Sequence, residues 1–146
     1  MLYYTMNNKK QQDLKFGFSS EDTSKMYLER RFGVLDKTDK YNKFDFVNDK
    51  YKVELKTRKC KFGDYPDLQF EVGKIVEAKK YLLENPEREV YFIWRCIKDG
   101  WDEKGFYYWK YNEDEYFEGE GGRVDRGAGE WKILAKIKNE YINPLF

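Results

Sequence analysis

Two segments of this chain have apolar residues at helical spacing. The first predicts a helix from about Ser20 to Phe32, which Gly33 ends. The second predicts a helix from about Gln69 to Glu84, because Asn85-Pro86 cannot continue it. The chain therefore offers two helices whose apolar faces need a sheet or another helix to pack against.

Other segments alternate apolar and charged residues and predict strands. Phe44 to Phe46 and Tyr51 to Lys56 show this alternation, and Asn48-Asp49 between them predicts a turn. Glu89 to Ile97 is apolar enough to be a central strand that is buried on both faces. Two more strands are predicted at Gly105–Tyr111 and Trp131–Ile137, with loops at residues 60–68 and at the acidic residues 112–122.

This order of elements predicts an α/β protein with a central mixed β-sheet flanked by helices. A length of 146 residues suits one domain, residues 1–146, with one core. No apolar run approaches the roughly 20 residues of a membrane span, and the first residues lack the apolar stretch of a signal peptide. We therefore expect an intracellular, cytoplasmic protein that does not bind membranes.

The composition limits the chemistry that the chain can perform. It has no histidine, which excludes a Ser-His-Asp triad, histidine-based zinc sites and nucleases with a histidine base. Its two cysteines, Cys60 and Cys96, lack metal-site spacing and are expected to be free thiols in a reducing compartment. The remaining catalytic groups are carboxylates, Lys, Tyr and Arg, which suit an oxygen-ligated cation such as Mg²⁺ or Mn²⁺.

The charge is unevenly distributed although the net charge is only +1. Residues 1–62 carry 15 Lys and Arg against 9 Asp and Glu, whereas residues 63–130 carry 10 against 17. The balance of residues 131–146 is again positive, 3 against 1. The chain can therefore present a local anion-binding face without being basic as a whole.

The predicted hairpin carries the candidate chemistry. Glu54 and Lys56 share one face of a strand because their positions differ by two. A two-residue turn at Asn48-Asp49 would pair Val47 with Lys50 and make Asp45 the diagonal neighbour of Glu54, at roughly 7–8 Å between Cα atoms. A four-residue loop would keep Asp45 on that face, whereas a three-residue loop would turn it to the other one.

Spacing alone does not decide between a site and a solvated surface. Five acid-x-lysine triplets occur in the chain, and alternating charge on a hairpin is also typical of a solvent-exposed face with weak ion pairs. Only the triplet of Glu54 and Lys56 has an acidic residue on a neighbouring predicted strand. The hypothesis therefore depends on the register of this hairpin.

With these residues in this order, the chain resembles the PD-(D/E)xK nuclease superfamily. A helix with an acidic residue, Glu29, precedes the hairpin, Asp45 lies on its first strand, and Glu54-Leu55-Lys56 lies on its second. A helix and the apolar strand VYFIWRCI follow, so the resemblance covers about residues 20–112. Phe44 stands where the family motif has a proline. The resemblance implies a restriction-endonuclease-like core of the αβββαβ type.

The resemblance also implies roles for individual residues. Asp45 and Glu54 would bind Mg²⁺ or Mn²⁺ together with the backbone carbonyl of Leu55, and Glu29 would reach the metal directly or through water. Lys56 would orient or help to deprotonate the attacking water and offset charge on the scissile phosphate.

A polar side chain from the following helix would complete the site, and Lys74 is the expected residue, with Gln69 as a weaker candidate. Basic residues near these elements are candidates for contacts with nucleic-acid phosphates: Lys25, Arg30, Arg31, Arg58, Lys59 and Lys61.

The resulting expectation is a metal-dependent, structure-selective endodeoxyribonuclease of phage or viral type that acts on DNA. For branched DNA, where two strands must be cut together, we expect a homodimer. A metal-dependent ribonuclease with the same residues stays open, because the motif does not distinguish RNA from DNA. A non-catalytic phage interaction or inhibitor protein that uses the acidic residues 113–120 is the third hypothesis.

Overall fold

A computed structural model describes residues 23–38, 45–122 and 131–146 of the chain. Within these residues it is an α/β protein with two α-helices, a mixed six-stranded sheet and a second sheet of three strands. No helix in these ranges is long and apolar enough to cross a membrane. In chain order the elements are α1 (residues 23–32), β1 (Asp36–Lys37), β2 (Phe46–Val47), β3 (Tyr51–Arg58), β4 (Asp67–Glu71), α2 (Val72–Glu84), β5 (Glu89–Cys96), β6 (Phe106–Lys110), β7 (Tyr116–Gly122), β8 (Trp131–Lys138) and β9 (Asn143–Pro144).

The central sheet has the strand order β1-β2-β3-β5-β6-β9. Strands β3 and β5 are parallel, and every other neighbouring pair in this sheet is antiparallel. Parallel neighbours need a crossover connection, which β4 and α2 supply here. The second sheet, with the order β4-β8-β7, is antiparallel and takes its first strand from that crossover.

Each face of the central sheet is covered by a different layer. On one face Val53 packs with Tyr91 and Ile93 against Leu28 and Phe32 of α1. On the other face the aromatic residues of β5 and β6 pack against α2 and the second sheet, in a cluster that includes Phe70, Ile75, Ala78, Phe92, Trp94, Trp109, Ala135 and Ile137. Because side chains alternate along a strand, Glu54 and Lys56 project toward this second, aromatic cluster.

Several predicted elements are confirmed. Strand β5 covers Glu89–Cys96 and is buried through most of its length, as the apolar sequence predicts. Strands β6 and β8 lie within one residue of their predicted bounds. Cys60 and Cys96 are free and buried, with their sulfur atoms 4.0 Å apart. The predicted start of the first helix and Phe44 lie outside the described residues.

Two predictions are wrong. The second helix begins at Val72, because residues 67–71 form β4 and bury Leu68 and Phe70 against the aromatic core. Of the acidic residues 112–122 predicted as a loop, only 112–115 form a turn, and Tyr116–Gly122 form β7 beside β8. Its glycines suit this strand, because a Cβ atom on Gly121 would lie 2.7 Å from a side-chain carbon of Leu134.

The hairpin register also differs from the predicted one. Val47 pairs with Lys52, not with Lys50, and Phe46 pairs with Val53, so the connecting loop has four residues instead of two. Loops of two and of four residues both place Asp45 on the same face of the hairpin as Glu54. With this register Asp45, the residue before β2, lies beside Val53 and Glu54, and its N–H donates to the carbonyl oxygen of Val53.

Asn48 explains why the loop has this length. Its side-chain oxygen accepts hydrogen bonds from the N–H groups of Lys50 (3.0 Å) and Tyr51 (2.8 Å). Its side-chain amide donates to the carbonyl oxygens of Phe32 (3.0 Å) and Val34 (3.1 Å) after α1. One side chain therefore closes the loop and attaches it to the end of α1, which sets the position of β2 relative to β3.

We expect Asn48→Ala to lower the free energy of unfolding by at least roughly 2 kcal/mol, because four hydrogen bonds worth about 0.5–1.5 kcal/mol each are lost. Asn48→Asp keeps the two acceptor contacts but places carboxylate oxygens against two carbonyl oxygens, so it should also destabilise. Urea unfolding measures both effects.

Asn112→Ala is the matched control, because Asn112 accepts a hydrogen bond from the Asp114 N–H within an exposed turn. Its cost should stay below about 1 kcal/mol, the usual net value of one hydrogen bond. Equal losses for the two alanine variants would contradict the role assigned to Asn48.

Candidate functional site

The hairpin brings the carboxyl groups of Asp45 and Glu54 close together. Asp45 immediately precedes β2, and its N–H donates to the carbonyl oxygen of Val53 at 3.2 Å. Its carboxylate accepts a hydrogen bond of 2.8 Å from the N–H of Leu55, the residue after Glu54, and Glu54 is close enough to influence the pKa of Asp45. The predicted pair of acids is therefore adjacent in space.

The pKa of Asp45 reflects this position. Burial raises the pKa above the usual aspartate value, and the effect of burial outweighs the opposing contributions of the Leu55 N–H, Lys74, Lys37 and the Glu54 contact. The charged form of this carboxyl group is thus disfavoured by the fold. A cation bound between the two acids would remove that penalty, because an adjacent positive charge favours the carboxylate form.

Glu54 lies deeper than Asp45, at 6% exposure. Lys74, in the first turn of α2, places its ammonium nitrogen 3.0 Å from a carboxylate oxygen of Glu54. This is the lysine that the sequence analysis expects to complete the site from the second helix. Strand β3 supplies the acid and the crossover helix supplies the neutralising charge.

Lys56 lies on the same face as Glu54, with its ammonium nitrogen 5.9 Å from the ring centre of Phe70. Burial, and to a smaller extent the neighbouring Arg58, lower the pKa of Lys56 to about 8. A pKa of about 8 leaves roughly a tenth of these side chains neutral at pH 7. Lys56 can therefore act either as a cation or as a proton acceptor near neutral pH.

Leu55 contributes through its backbone. Its N–H points toward β2, since it donates to Asp45. The N–H and C=O groups of one residue in a strand point to the same side, so the carbonyl oxygen of Leu55 also faces the Asp45 side, beyond the end of β2. This direction suits the carbonyl ligand that the resemblance implies.

The donor set fits a small, oxygen-ligated cation. Two carboxylates and one carbonyl oxygen are ligands that Mg²⁺ and Mn²⁺ accept, with water completing the coordination. Among residues 23–38, 45–122 and 131–146 no group of three or more His, Cys, Asp or Glu side chains could hold a metal ion. A metal here would thus depend on Asp45, Glu54 and the backbone.

Two candidates lie away from this centre. The Glu29 carboxylate accepts a hydrogen bond of 2.9 Å from the Leu35 N–H and closes the turn after α1. Leu35 comes before β1, whereas Thr38 comes after it and donates its N–H to the backbone carbonyl oxygen of Asp45. Three residues of extended strand, about 10 Å, separate Leu35 from Thr38. The Glu29 carboxylate is therefore held at the far end of β1 from Asp45. Gln69 lies on β4 and donates to Asp67 at 3.4 Å.

The basic candidates divide between the two faces of the sheet. Lys25, Arg30 and Arg31 belong to α1, which covers the face opposite to Glu54 and Lys56. Arg30 pairs with Glu103 at 3.7 Å and lies over the ring of Phe146. Of the residues after the strand, Arg58 acts on the pKa of Lys56, whereas Lys59 and Lys61 are exposed.

The structure adds three charged residues that the sequence analysis did not select. Lys37 on β1 lies near Asp45, and Glu71 at the end of β4 pairs with Lys132 of β8 at 2.7 Å. Glu71 and Lys132 both influence the pKa of Lys56. In the sequence, the acid-x-lysine triplet Glu130-Trp131-Lys132 is the only sign of Lys132. It does not place this lysine at the site, because β8 reaches the site by pairing with β4, and the sequence analysis assigns residues 67–71 to a loop and a helix.

Comparisons with protein-family models, with curated proteins and with solved structures find no match for this chain. The chemistry of the site therefore has to be argued from its own geometry.

We expect Asp45→Asn to stabilise the metal-free protein at pH 7, raising the melting temperature by about 2–4 °C, which corresponds to about 1 kcal/mol for a chain of this size. The folded-state pKa of Asp45 is raised, so its charge opposes folding once the pH exceeds the unfolded-state value of about 3.8. The difference from wild type should be largest at neutral pH and vanish as the pH falls toward that value.

Thermal melts in EDTA between pH 3.5 and pH 8 measure this difference, with the exposed Asp49→Asn of the same hairpin as the control. Added Mg²⁺ or Mn²⁺ should stabilise wild type more than Asp45→Asn. A destabilised Asp45→Asn at pH 7 would contradict the assignment of Asp45 as a buried, strained acid.

Proposed function

We propose that this protein is a Mg²⁺- or Mn²⁺-dependent phosphodiesterase that cleaves DNA as a structure-selective endonuclease. The observation that carries the proposal is that the Asp45 carboxylate, bonded to the Leu55 N–H at 2.8 Å, lies near the buried Glu54 on the sheet face that also presents the desolvated Lys56. A solvated hairpin surface would not bury Glu54 at 6% exposure against an aromatic core. The surface interpretation that the sequence left open is therefore disfavoured.

Each part of the site has a role in phosphodiester hydrolysis. Asp45, Glu54 and the Leu55 carbonyl would hold the cation, which would polarise a phosphoryl oxygen and acidify a bound water when present. Lys56 lies on the same face and would orient that water, accept its proton or offset charge on the phosphate. Lys74 would keep Glu54 ionised and aimed at the metal through their 3.0 Å contact.

The order of elements supports the same proposal. A helix, three consecutive antiparallel strands, a second helix and a strand parallel to the third appear in the chain as α1, β1, β2, β3, α2 and β5. This is the αβββαβ arrangement that the resemblance to the PD-(D/E)xK superfamily implies, with β4 inserted before α2. We infer a restriction-endonuclease-like core on this ground.

Replacing Glu54 with Gln or Lys56 with Met should lower the rate of Mg²⁺-dependent cleavage by at least about a hundredfold, the usual effect of removing an electrostatic or acid–base group. The assay compares branched DNA, linear DNA and RNA of the same sequence. Cleavage of RNA alone would favour the ribonuclease alternative with the same residues.

Glu77→Gln and Lys79→Met are matched controls, because they belong to another acid-x-lysine triplet on α2 and change the same charges. Both should keep wild-type activity. Full activity of a folded Glu54→Gln or Lys56→Met variant would reject the assigned site.

A non-catalytic interaction protein is the second candidate function. It would use the acidic segment, now strand β7 at the edge of the second sheet, whose Glu118 and Glu120 could meet a basic partner. This candidate requires no metal at Asp45 and Glu54. Calorimetric titration with Mn²⁺ distinguishes the two candidate functions. We expect wild type to bind Mn²⁺ and Asp45→Ala not to bind it. The same heat of titration for both proteins would favour the interaction protein.

A homodimer is part of the proposal only for branched DNA, where two strands are cut together. The oligomeric state during the cleavage assay therefore tests the choice of substrate and not the chemistry of the site.

A further inference from the structure

The second sheet brings an ion pair next to the site. Glu71 ends β4, and its carboxylate accepts a hydrogen bond of 2.7 Å from the ammonium group of Lys132 on β8. Glu71 is paired in register with Leu134, which puts Lys132 on the same face of the sheet two residues away. The long-range pairing of β4 with β8 thus creates this contact.

One lysine contacts the Glu71 carboxylate, and the charges of two more act on it from nearby. The hydrogen bond from Lys132 is the largest influence that lowers the pKa of Glu71, and the charges of Lys56 and Lys74 act in the same direction. Lys56 and Lys74 also serve the candidate metal site, since Lys74 contacts Glu54 and Lys56 lies on its face. The pair is therefore continuous with the site and adds positive charge to it.

The pair lies on the solvent side of Lys56. The side chains of Glu71 and Lys132 are 51% and 41% exposed, whereas the ammonium group of Lys56 is desolvated. An exposed ion pair is held weakly, because water and salt compete with it. A phosphate group, with more acceptor oxygens and at least the same charge, can replace a carboxylate in such a contact.

We propose that Glu71 occupies the position of a backbone phosphate in the substrate-free protein, and that Lys132 binds this phosphate of the nucleic acid once Glu71 is displaced. This inference rests on the proposed function, and it adds the second sheet to the substrate-binding surface. It assigns Lys132 as a binding residue and Glu71 as a residue that restrains it.

Binding of a fluorescent 20-base-pair duplex to wild-type protein in EDTA tests the inference without any cleavage. Lys132→Ala should weaken binding roughly tenfold, as expected for one charged hydrogen bond, and should reduce the slope of log K against log salt concentration by about 0.9. Lys132→Arg should retain most of the affinity. Melting temperatures establish that each variant is folded.

Lys138→Ala is the matched control, because Lys138 lies on the same strand and the same face, about 20 Å from Lys132. It removes the same charge and should leave the salt slope unchanged. Equal affinities and slopes for the two alanine variants would overturn the inference, whatever the cleavage assay shows.

Glu71→Gln should tighten binding about threefold to tenfold, because Lys132 is released and a repelling charge is lost. This gain should shrink in the double variant with Lys132→Ala, since Glu71 acts largely through that lysine. An undiminished gain in the double variant would contradict the restraining role.

Inorganic phosphate at matched ionic strength distinguishes the two sources of the phosphate group. It should not displace the duplex, because a free phosphate lacks the neighbouring contacts. Displacement from wild type but not from Lys132→Ala would assign the position to free phosphate and overturn the inference. If wild type cleaves no nucleic acid but Lys132→Ala still loses duplex binding, the proposed function is rejected and the phosphate-binding site is supported.

Discussion

The register of the β2–β3 hairpin is the constraint on which the site depends. A shift by one residue would turn Asp45 toward α1 while Glu54 kept its position on β3, and the two carboxyl groups would separate. Asn48 prevents the shift by hydrogen-bonding both to the loop and to the end of α1. The parallel pairing with β5, which aligns Glu54 with Phe92, fixes the other side of β3.

This arrangement buries charge next to an aromatic core, which opposes folding. Burial raises the pKa of Asp45 and lowers the pKa of Lys56, so both charged forms are disfavoured where they lie. The surrounding rings supply compensating apolar burial: Phe70 lies 4.8 Å from Phe92 and 4.9 Å from Trp94 between ring centres. The site therefore retains groups whose charges the fold only partly neutralises, as a cation-binding or phosphate-binding site requires.

The sequence was sufficient for the parts of the site that depend on local periodicity. The alternation in residues 51–56 predicts the shared face of Glu54 and Lys56, and the family resemblance implies the lysine that the following helix places beside the acid. It was not sufficient for the length of the hairpin loop. Asn48-Asp49 suits a two-residue turn, but the hydrogen bond from Asn48 to the end of α1 favours the four-residue loop that the structure has.

Long-range pairing accounts for the residues that the sequence analysis did not find. Strand β4 has five residues and lies between a glycine-containing turn and a helix, so its apolar positions could be assigned to either neighbour. Without β4 nothing connects β8 to the crossover, because its other neighbour is β7, and Lys132 has no reason to approach the site. Glu29 is the opposite case: its place on the helix matches the family pattern, but its carboxylate closes a local turn with Leu35.

The crossover between β3 and β5 brings charged residues from distant parts of the chain to one place in the fold. It supplies Lys74 and Glu71 and pairs with β8, so a lysine of the basic residues 131–146 joins the basic residues of the first segment around the two buried acids. Strand β7, which carries Glu118 and Glu120, lies at the far edge of the same sheet, with β8 between it and β4. If the proposed substrate is correct, its phosphate backbone would be repelled by that edge and attracted by the lysines, so the field of the second sheet would favour one direction of approach. A net charge of +1 is compatible with such a surface, because Glu118 and Glu120 lie at the edge away from Lys132 and the crossover.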